Sequence, residues 1–286
     1  PFLLNILRDK QILPPELKRE DGLMSESDLL LHLADGLYSK THSGSVASIL
    51  RNVRQTAHNV RDRMSIDSTR IITRLENFRK TKDSDPLDIL EETLFTLSAF
   101  SGLAMESMTR GLGWRFMDMG RRLERGMNTA SLIRLSLGQL CDGSFSTLQA
   151  LLRISDSLMT YRARYRSAFQ VAPVLDLLLT DEGNPQSLAF QFARLADHVE
   201  FLPQEDGRRF SSKEERIALE MFTAVRLLDL TGIHCGQGQS EFDELTMFLR
   251  KTEGQLKDFA QQVTAHYLTQ VPTTPHYSII SGNRAI

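Results

Sequence analysis

The chain has 286 residues, of which 41% are hydrophobic and 24% are charged, which is enough apolar material for a sizeable core in a soluble protein. Its formal net charge of −2 counts against nucleic-acid binding, because proteins held to nucleic acid by their overall field are usually basic. No apolar run approaches the ~20 residues that a membrane-spanning helix needs. The sequence therefore predicts neither a nucleic-acid partner nor a membrane partner.

The two cysteines, Cys141 and Cys235, lie far apart in the sequence and in no zinc-binding spacing. We expect both to be reduced thiols, as is usual for a cytoplasmic protein. The first residue is Pro1, and no basic segment typical of a signal peptide follows it. These features predict a cytoplasmic chain that begins inside a longer gene product.

Helical spacing of apolar residues dominates the sequence, and alternating strand patterns are nearly absent. Two short helices are predicted first, one ending at Pro14-Pro15 and one over Ser27–Tyr38. A long helix follows, from Ser45 to about Arg79. Its apolar residues form one stripe: Val46, Ile49, Leu50, Val53, Ala57, Val60, Met64, Ile71, Leu75 and Phe78.

The next helix begins at Asp85-Pro86, where Asp is typical of an N-cap and Pro of the first helical position. Its predicted stripe is Leu87, Leu90, Leu94, Leu97, Ser101, Met105 and Met108. Gly111 and Gly113 interrupt the chain before a helix over 114–138, which is followed by another over 146–169.

Four more helices complete the chain. A short apolar helix covers Val174–Leu179, and the next begins at Asn184-Pro185 and ends near Pro203. The last two span about Ser212–Thr231 and Glu241–Leu268. A Gly-rich stretch between them, which could suggest a phosphate loop, lacks the preceding strand of such a loop and is interpreted as a turn.

Short loops and uniform composition indicate an all-α fold with one domain over residues 1–270. Long antiparallel helices packed as a bundle are the natural arrangement for such a pattern. The tail over 271–286 contains two prolines and is predicted to be extended or disordered.

Charged residues lie unusually close to the predicted stripes. On the 45–79 helix, Asp67 falls about 40° from the stripe centre, where helical geometry favours an apolar residue. Arg162 falls within the stripe of the 146–169 helix. An arginine on a buried face keeps its charge and needs a carboxylate partner, and Asp67 and Glu124 are the obvious candidates.

Two interpretations of these charges remain open. They could be boundary residues and buried ion pairs that only stabilise helix packing. Alternatively, a cationic pocket between helices could hold a carboxylate or phosphate, both of which suit the planar guanidinium fork. The candidate anion-binding residues are Arg54, Arg61, Arg121, Arg122, Arg162 and Arg164. The candidate orienting acids are Asp67, Asp118, Glu124 and Asp156.

Recognisable catalytic and metal motifs are missing from the sequence. There is no Glu-x-x-His pair of a di-iron bundle, no His-x-x-x-His pair, no Gly-x-x-x-x-Gly-Lys-Ser/Thr loop and no Gly-x-Ser-x-Gly elbow. We therefore predict no metal site and no cofactor in this chain, and the sequence identifies no catalytic residue.

The segment Gly113-Trp-Arg-Phe-Met-Asp-Met-Gly-Arg-Arg-Leu-Glu-Arg125 resembles the Glu-Arg signature of the bacterial alpha-E domain family. Three further stretches are similar to that family: Arg51–Ser65, Asp156–Tyr165, and Ala172–Leu179 followed by Asn184–Phe190. The similarity extends from about residue 40 to 270. Members usually open with an earlier helix that carries an Arg-x-x-Glu-Arg repeat, which is not found here, and Asp67 stands where a Glu is expected.

The resemblance implies an association with circularly permuted ATP-grasp proteins, which join a carboxylate to an amine. The partner would hold the ATP, and the helical domain would bind a peptide or amino-acid substrate or position the ligase. By this interpretation the chain is a non-catalytic accessory domain of a ligase system. The alternative is a structural scaffold or oligomerisation module with buried ion pairs.

Overall fold

The computed structural model describes residues 2–9, 26–78, 85–140, 145–166, 168–203, 211–230, 233 and 239–268. Over these ranges the chain forms α-helices and no β-strand, which confirms the all-α prediction. None of the helices within the described ranges is both long enough and apolar enough to cross a membrane.

The helices follow one another along the described residues. Their bounds are α1 Phe2–Asp9, α2 Glu26–Tyr38, α3 Val46–Asn59, α4 Ile66–Arg74, α5 Pro86–Ser107, α6 Leu112–Leu140, α7 Phe145–Ile154, α8 Leu158–Tyr165, α9 Val171–Leu179, α10 Leu188–Glu200, α11 Lys213–Arg226 and α12 Gln239–Val263. Two 3₁₀ turns cover Arg61–Arg63 and Leu75–Asn77, and a π-helical turn over Thr264–Leu268 follows α12.

Backbone contacts divide the chain into two compact units. The first unit comprises Pro1–Asp118 with Leu135–Gln139, and the second comprises Met119–Arg134 with Leu140–Ile286. The prediction of one domain over residues 1–270 stays a prediction. The Pro14-Pro15 helix end, both cysteines, the Gly-rich stretch between the last two helices and the 271–286 tail lie outside the described residues.

In the first unit, α2 packs on α3, α3 on α4, and α4 on α5. Leu50, Ile72 and Leu75 form the buried centre of this packing, and partly buried Phe78 and Phe100 lie against them. Burial of one such aliphatic side chain contributes roughly 1.5–3 kcal/mol. This small core fixes the spacing between α3 and α4.

The long helix predicted over 45–79 is wrong: the segment forms α3 and α4, joined by a 3₁₀ turn. Ser65 ends the first stripe because it caps α4, its hydroxyl accepting a hydrogen bond from the Ser68 amide at 3.1 Å. The new helix resets the helical phase, so Asp67 is exposed and pairs with Arg70 at 3.3 Å.

The second unit has the larger core. The α9 helix contributes six buried apolar side chains, and α10 packs on α11, which packs on α12. Gly126 of α6 lies where a Cβ atom would be 3.4 Å from Leu256 and 3.6 Å from Phe192. The missing side chain at this position therefore lets the Leu256 and Phe192 side chains lie close to α6.

The single helix predicted over 146–169 is also wrong. It forms α7 and α8, separated by Asp156, whose φ of 47° is left-handed. Asp tolerates this conformation better than most residues because its short side chain bonds locally. The break shifts the phase of α8, so Arg162 lies on the exposed surface rather than in a buried stripe.

Two predicted helix starts have different outcomes. Asp85-Pro86 is confirmed, since the Asp85 carboxylate accepts a hydrogen bond from the Leu87 amide at 2.9 Å and Pro86 is the first helical residue. Asn184-Pro185 does not begin a helix. Ser187 caps α10 instead. Asn184 is buried, and its side-chain amide donates a hydrogen bond to the Leu177 carbonyl at 2.9 Å.

Candidate functional site

A cavity of about 480 Å³ lies between α3 and α4 in the first unit. Its charged lining residues are Arg51, Arg54, Arg61 and Glu76, and His58 also lines it. Three arginines therefore face one carboxylate, which gives the pocket a positive charge. We refer to this feature as the basic pocket.

The α3 wall of the basic pocket follows from residue spacing. Arg51, Arg54, His58 and Arg61 recur at three-and-four spacing, so at about 100° per residue they share one side of the helix and its 3₁₀ extension. The side chain of Ser45 caps the N-terminus of α3 by accepting a hydrogen bond from the Ser48 amide at 3.1 Å. This cap and the buried Leu50 fix the helix that carries Arg51, Arg54 and His58.

The opposite wall comes from α4 and the following 3₁₀ turn. Thr69, Ile72, Thr73 and Glu76 line it, again at three-and-four spacing. The hydroxyls of Thr69 and Thr73 donate to the Ser65 and Thr69 carbonyls at 3.1 and 2.9 Å. Because these hydroxyl protons are engaged, the arginines are the main hydrogen-bond donors that face the cavity.

The arginines of the basic pocket differ in their partners. The Arg54 guanidinium donates to the Glu76 carboxylate across the pocket, and Arg51 donates to the Lys40 carbonyl at 3.3 Å. Arg61 is exposed, and among the described residues no carboxylate lies within ion-pair distance of it. Arg61 therefore has its donors available for a ligand anion.

A second arginine environment lies in the second unit, around α6 and α10. Arg122 is buried, with 7% of its surface exposed, and it donates to the Gln191 side-chain oxygen at 3.2 Å. The Gln191 amide in turn donates to the Pro185 and Ser187 carbonyls at 2.7 and 3.0 Å. Arg122 thus supports the turn that precedes α10, which is a structural role.

Two other predicted residues of the second unit border the α8 helix. Arg164 forms an ion pair with Asp181 at 2.6 Å, and this hydrogen bond raises the pKa of Arg164. Next to it, burial and a 3.0 Å hydrogen bond to Asp176 raise the pKa of Tyr165. Asp156 is exposed at the left-handed break before α8. The Arg164–Asp181 and Tyr165–Asp176 bonds join α8 to α9 and to the turn after it.

The remaining predicted residues differ in burial. Asp118 is buried, Arg121 is half-buried, and Glu124 is exposed. The prediction that Arg162 pairs with Asp67 or Glu124 rested on burial of Arg162, but all three side chains are exposed. Of the ten predicted site residues, Arg54 and Arg61 both line the cavity between α3 and α4.

The chain matches a known protein family. A model described as Alpha-E, a predicted alpha-helical domain with a conserved ER motif, matches residues 3–268. The chain belongs to the Alpha-E family. The Glu-Arg pair of its signature segment is Glu124-Arg125 in α6, whose arginine is half-buried.

Longer proteins contain a region similar to this Alpha-E chain. Uncharacterized proteins of Mycobacterium bovis and of the CDC 1551 and H37Rv strains of Mycobacterium tuberculosis are 30% identical to it over 237 residues. The match covers 79% of this chain and 26% of each relative, so the chain spans about a quarter of their length. No solved structure matches the chain.

Sequence reasoning missed two polar features of this Alpha-E chain. Arg51 and His58 share the helix side of Arg54 and Arg61, a signal that helical spacing could have supplied. The second feature is buried Glu214, near the N-terminus of α11, which accepts hydrogen bonds from His266 at 2.8 Å and Tyr267 at 3.1 Å. About fifty residues separate Glu214 from these partners, so no local pattern reveals the contact.

Burial of Glu214 disfavours its charged form, but hydrogen bonds oppose that effect. They come from its own backbone amide, His266, Ser212 and Tyr267, and together they lower the pKa of Glu214 below its ordinary value. The carboxylate therefore stays ionised and joins the turn after α12 to the start of α11.

Proposed function

We propose that this chain is the non-ATP-binding helical accessory domain of an ATP-grasp-type carboxylate–amine ligase system. In this proposal the basic pocket holds an anionic group of a peptide or amino-acid substrate, or of the ligase partner. The supporting observation is the cavity of about 480 Å³ lined by three arginines and a single glutamate. The ligase partner, and not this chain, supplies the ATP site.

The chemistry of the basic pocket suits a carboxylate or phosphate. Guanidinium groups donate two parallel hydrogen bonds to such anions. Glu76 orients Arg54 across the cavity, while Arg61 has no carboxylate partner among the described residues. Ala57, Met64 and Ile72 supply apolar lining, which fits the aliphatic part of an amino-acid or peptide ligand.

The accessory role is supported by the relatives and by the family resemblance. The relatives are about four times as long as the matched region, which leaves room for other domains. The sequence has no phosphate-binding loop of its own. A cytoplasmic setting belongs to the proposal, because the ligase chemistry consumes ATP.

Isothermal titration tests the proposal directly. The probes are inorganic phosphate, an acetylated dipeptide with a free carboxylate, and the same dipeptide as its amide. We expect binding of at least one anion and none of the amide, with binding lost in Arg54→Ala and Arg61→Ala. The matched control is Arg70→Ala, an exposed arginine of α4 outside the cavity. Absence of binding by the unmutated protein would refute the proposal.

The second candidate function is a scaffold, and the ion pairs of the second unit favour it. Arg134 pairs with Glu253 at 2.8 Å, Arg164 with Asp181 at 2.6 Å, and Arg226 with Glu182 at 2.5 Å. These arginines are occupied by internal carboxylates. A scaffold predicts that Arg134→Met combined with Glu253→Met leaves the activity of the full-length protein unchanged, as buried pairs can often be replaced by apolar residues. If the chain is a scaffold, Arg61→Ala also leaves the activity of the full-length protein unchanged.

A further inference from the structure

The α5 helix of the first unit carries acidic residues but no basic ones. Across Pro86–Ser107 it contains four acidic residues and no lysine or arginine: Asp88, Glu91, Glu92 and Glu106. All four acidic side chains are exposed. Three of them lie in the first two turns of the helix and Glu106 lies in its last turn, so the negative charge is concentrated at the two ends of α5.

The apolar residues of α5 lie on two sides of the helix. Thr93 and Ala104 are buried, and Phe100 packs on the first-unit core. On the other side, Leu87, Leu94 and Phe95 are 70%, 63% and 73% exposed. Apolar residues that line up on a solvent-facing helix side are typical of interaction surfaces.

Helical geometry places the exposed apolar residues in one stripe. At about 100° per residue, Leu87, Leu94 and Met105 fall within about 20° of one another. They extend over 18 residues, which is about 27 Å along the helix axis. A stripe of this length and direction fits a second helix better than a loop or a small molecule.

The middle of this stripe is open. Ser98, Ser101 and Gly102 lie between Leu94 and Met105, and a Cβ atom added at Gly102 would meet nothing within 4 Å. Small side chains there let the backbone of a second helix approach closely. The stripe therefore has apolar contacts at both ends and a shallow centre.

A groove with acidic sides runs beside the stripe. Its volume is about 570 Å³, and α4 contributes Ile71 and Arg74 to it, while α5 contributes the rest of the lining. The α5 lining residues are Asp88, Glu91, Glu92, Phe95, Thr96 and Ala99. Three carboxylates against one guanidinium favour a cationic occupant.

We propose that the exposed side of α5 is a docking surface for a basic amphipathic helix of a partner protein. The apolar side of that helix covers Leu87, Leu94, Phe95 and Met105, and its lysines or arginines face the α5 acids. Charge complementarity of this kind favours association with a basic partner and disfavours an acidic one. The same acids repel the anionic lipid headgroups of a membrane surface.

Fluorescence anisotropy with three labelled 18-residue peptides tests the surface. The first peptide has leucines at helical three-and-four spacing and lysines elsewhere, the second replaces its lysines with glutamates, and the third is a scrambled leucine–lysine peptide. We expect the full chain to bind the first at least about tenfold more tightly than the others, with an affinity that falls as salt screens the charges.

Two α5 variants locate the contact. Leu94→Gln combined with Phe95→Gln is expected to weaken peptide binding more than about tenfold, because it removes two large apolar contacts. Gly102→Lys is expected to abolish binding, since it adds bulk and positive charge to the open centre, while a helix former in place of glycine keeps the helix stable. The latter variant therefore separates lost binding from lost folding.

Matched controls come from the second unit. Gly254→Lys changes a helical glycine of α12 that also has nothing within 4 Å, and Leu219→Gln changes an exposed leucine of α11. Both should leave peptide binding unchanged. Equal binding of the scrambled or acidic peptide overturns the proposal. Self-association of the chain that the Gly102→Lys variant abolishes also overturns it, because the occupant is then a second copy.

Discussion

The two units of the chain use arginine differently. In the second unit, Arg122, Arg134 and Arg226 bond to Gln191, Glu253 and Glu182 of other helices or turns. In the first unit, three arginines line one open cavity with a single carboxylate among them. We infer that the arginines of the first unit, which internal carboxylates leave incompletely paired, are the better candidates for ligand binding.

The two units also differ in how much of their apolar side chains they bury. In the second unit the α9 helix, Val171–Leu179, buries six of its nine residues. In the first unit α5 leaves Leu87, Leu94 and Phe95 mostly exposed. We infer that the second unit stabilises the fold and that the first unit provides the binding surfaces.

The largest expected effect is on the polar network of the second unit. Gln191→Leu removes one hydrogen-bond acceptor of the buried Arg122 and the donors to the Pro185 and Ser187 carbonyls. Because buried polar groups that lose their partners are costly, we expect the free energy of unfolding to fall by about 3 kcal/mol. Urea denaturation measures the change. The control Gln261→Leu, on the exposed side of α12, should be nearly neutral, and an equal loss there would contradict the comparison.

A smaller effect, of about 2 kcal/mol at neutral pH, is expected for Glu214→Gln, since an amide cannot accept the same charged hydrogen bonds. The folded-state pKa of Glu214 is lower than its ordinary value of 4.5. Its contribution is therefore complete above pH 4.5 and is lost as the pH falls through the lowered folded-state pKa.

The difference in stability between the unmutated chain and Glu214→Gln should accordingly shrink below pH 4.5. Urea denaturation across this pH range measures it, with Glu220→Gln on the exposed side of α11 as the control. A difference that stays constant with pH would show that the carboxylate is not the group responsible.

Glycines offer a third comparison between the units. Gly102→Ala on α5 should raise the free energy of unfolding by about 1 kcal/mol, because alanine favours a helix and nothing lies within 4 Å of the added methyl group. Gly126→Ala on α6 should give little or no gain, since its methyl group would meet Leu256 at 3.4 Å. Thermal denaturation of both variants checks the order, and a larger gain at Gly126 would contradict it.

Much of the fold could be predicted from helical spacing and capping residues. Asp85-Pro86 marked the start of α5, and the Trp114 segment marked α6. The break at Ser65 was readable in principle, because Ser followed by Asp67 in the next turn is typical of a helix N-terminus. The break at Asp156 depends on a left-handed backbone conformation, which Asp adopts more readily than most residues, and the spacing of the apolar residues alone does not show it.

The candidate site was predicted only in part, because its residues lie on both sides of these helix breaks. Arg54 and Arg61 lie on one helix and its direct extension, so their spacing survives the break before α4. Asp67 and Arg162 lie beyond a break, where the assumed helical phase no longer applies. The Glu214 cluster depends on residues far apart in sequence, which only the folded chain brings together.

The smallest expected change in stability is at Arg61, and it gives the sharpest contrast with Gln191. Arg61 is exposed and has no carboxylate partner among the described residues, so Arg61→Ala should change the free energy of unfolding by less than about 0.5 kcal/mol. The same variant should abolish anion binding by the basic pocket, because it removes the arginine whose donors are available. Urea denaturation and isothermal titration on one preparation measure both effects. Intact anion binding would place the site elsewhere, and a large loss of stability would mean that Arg61, like the arginines of the second unit, serves the fold.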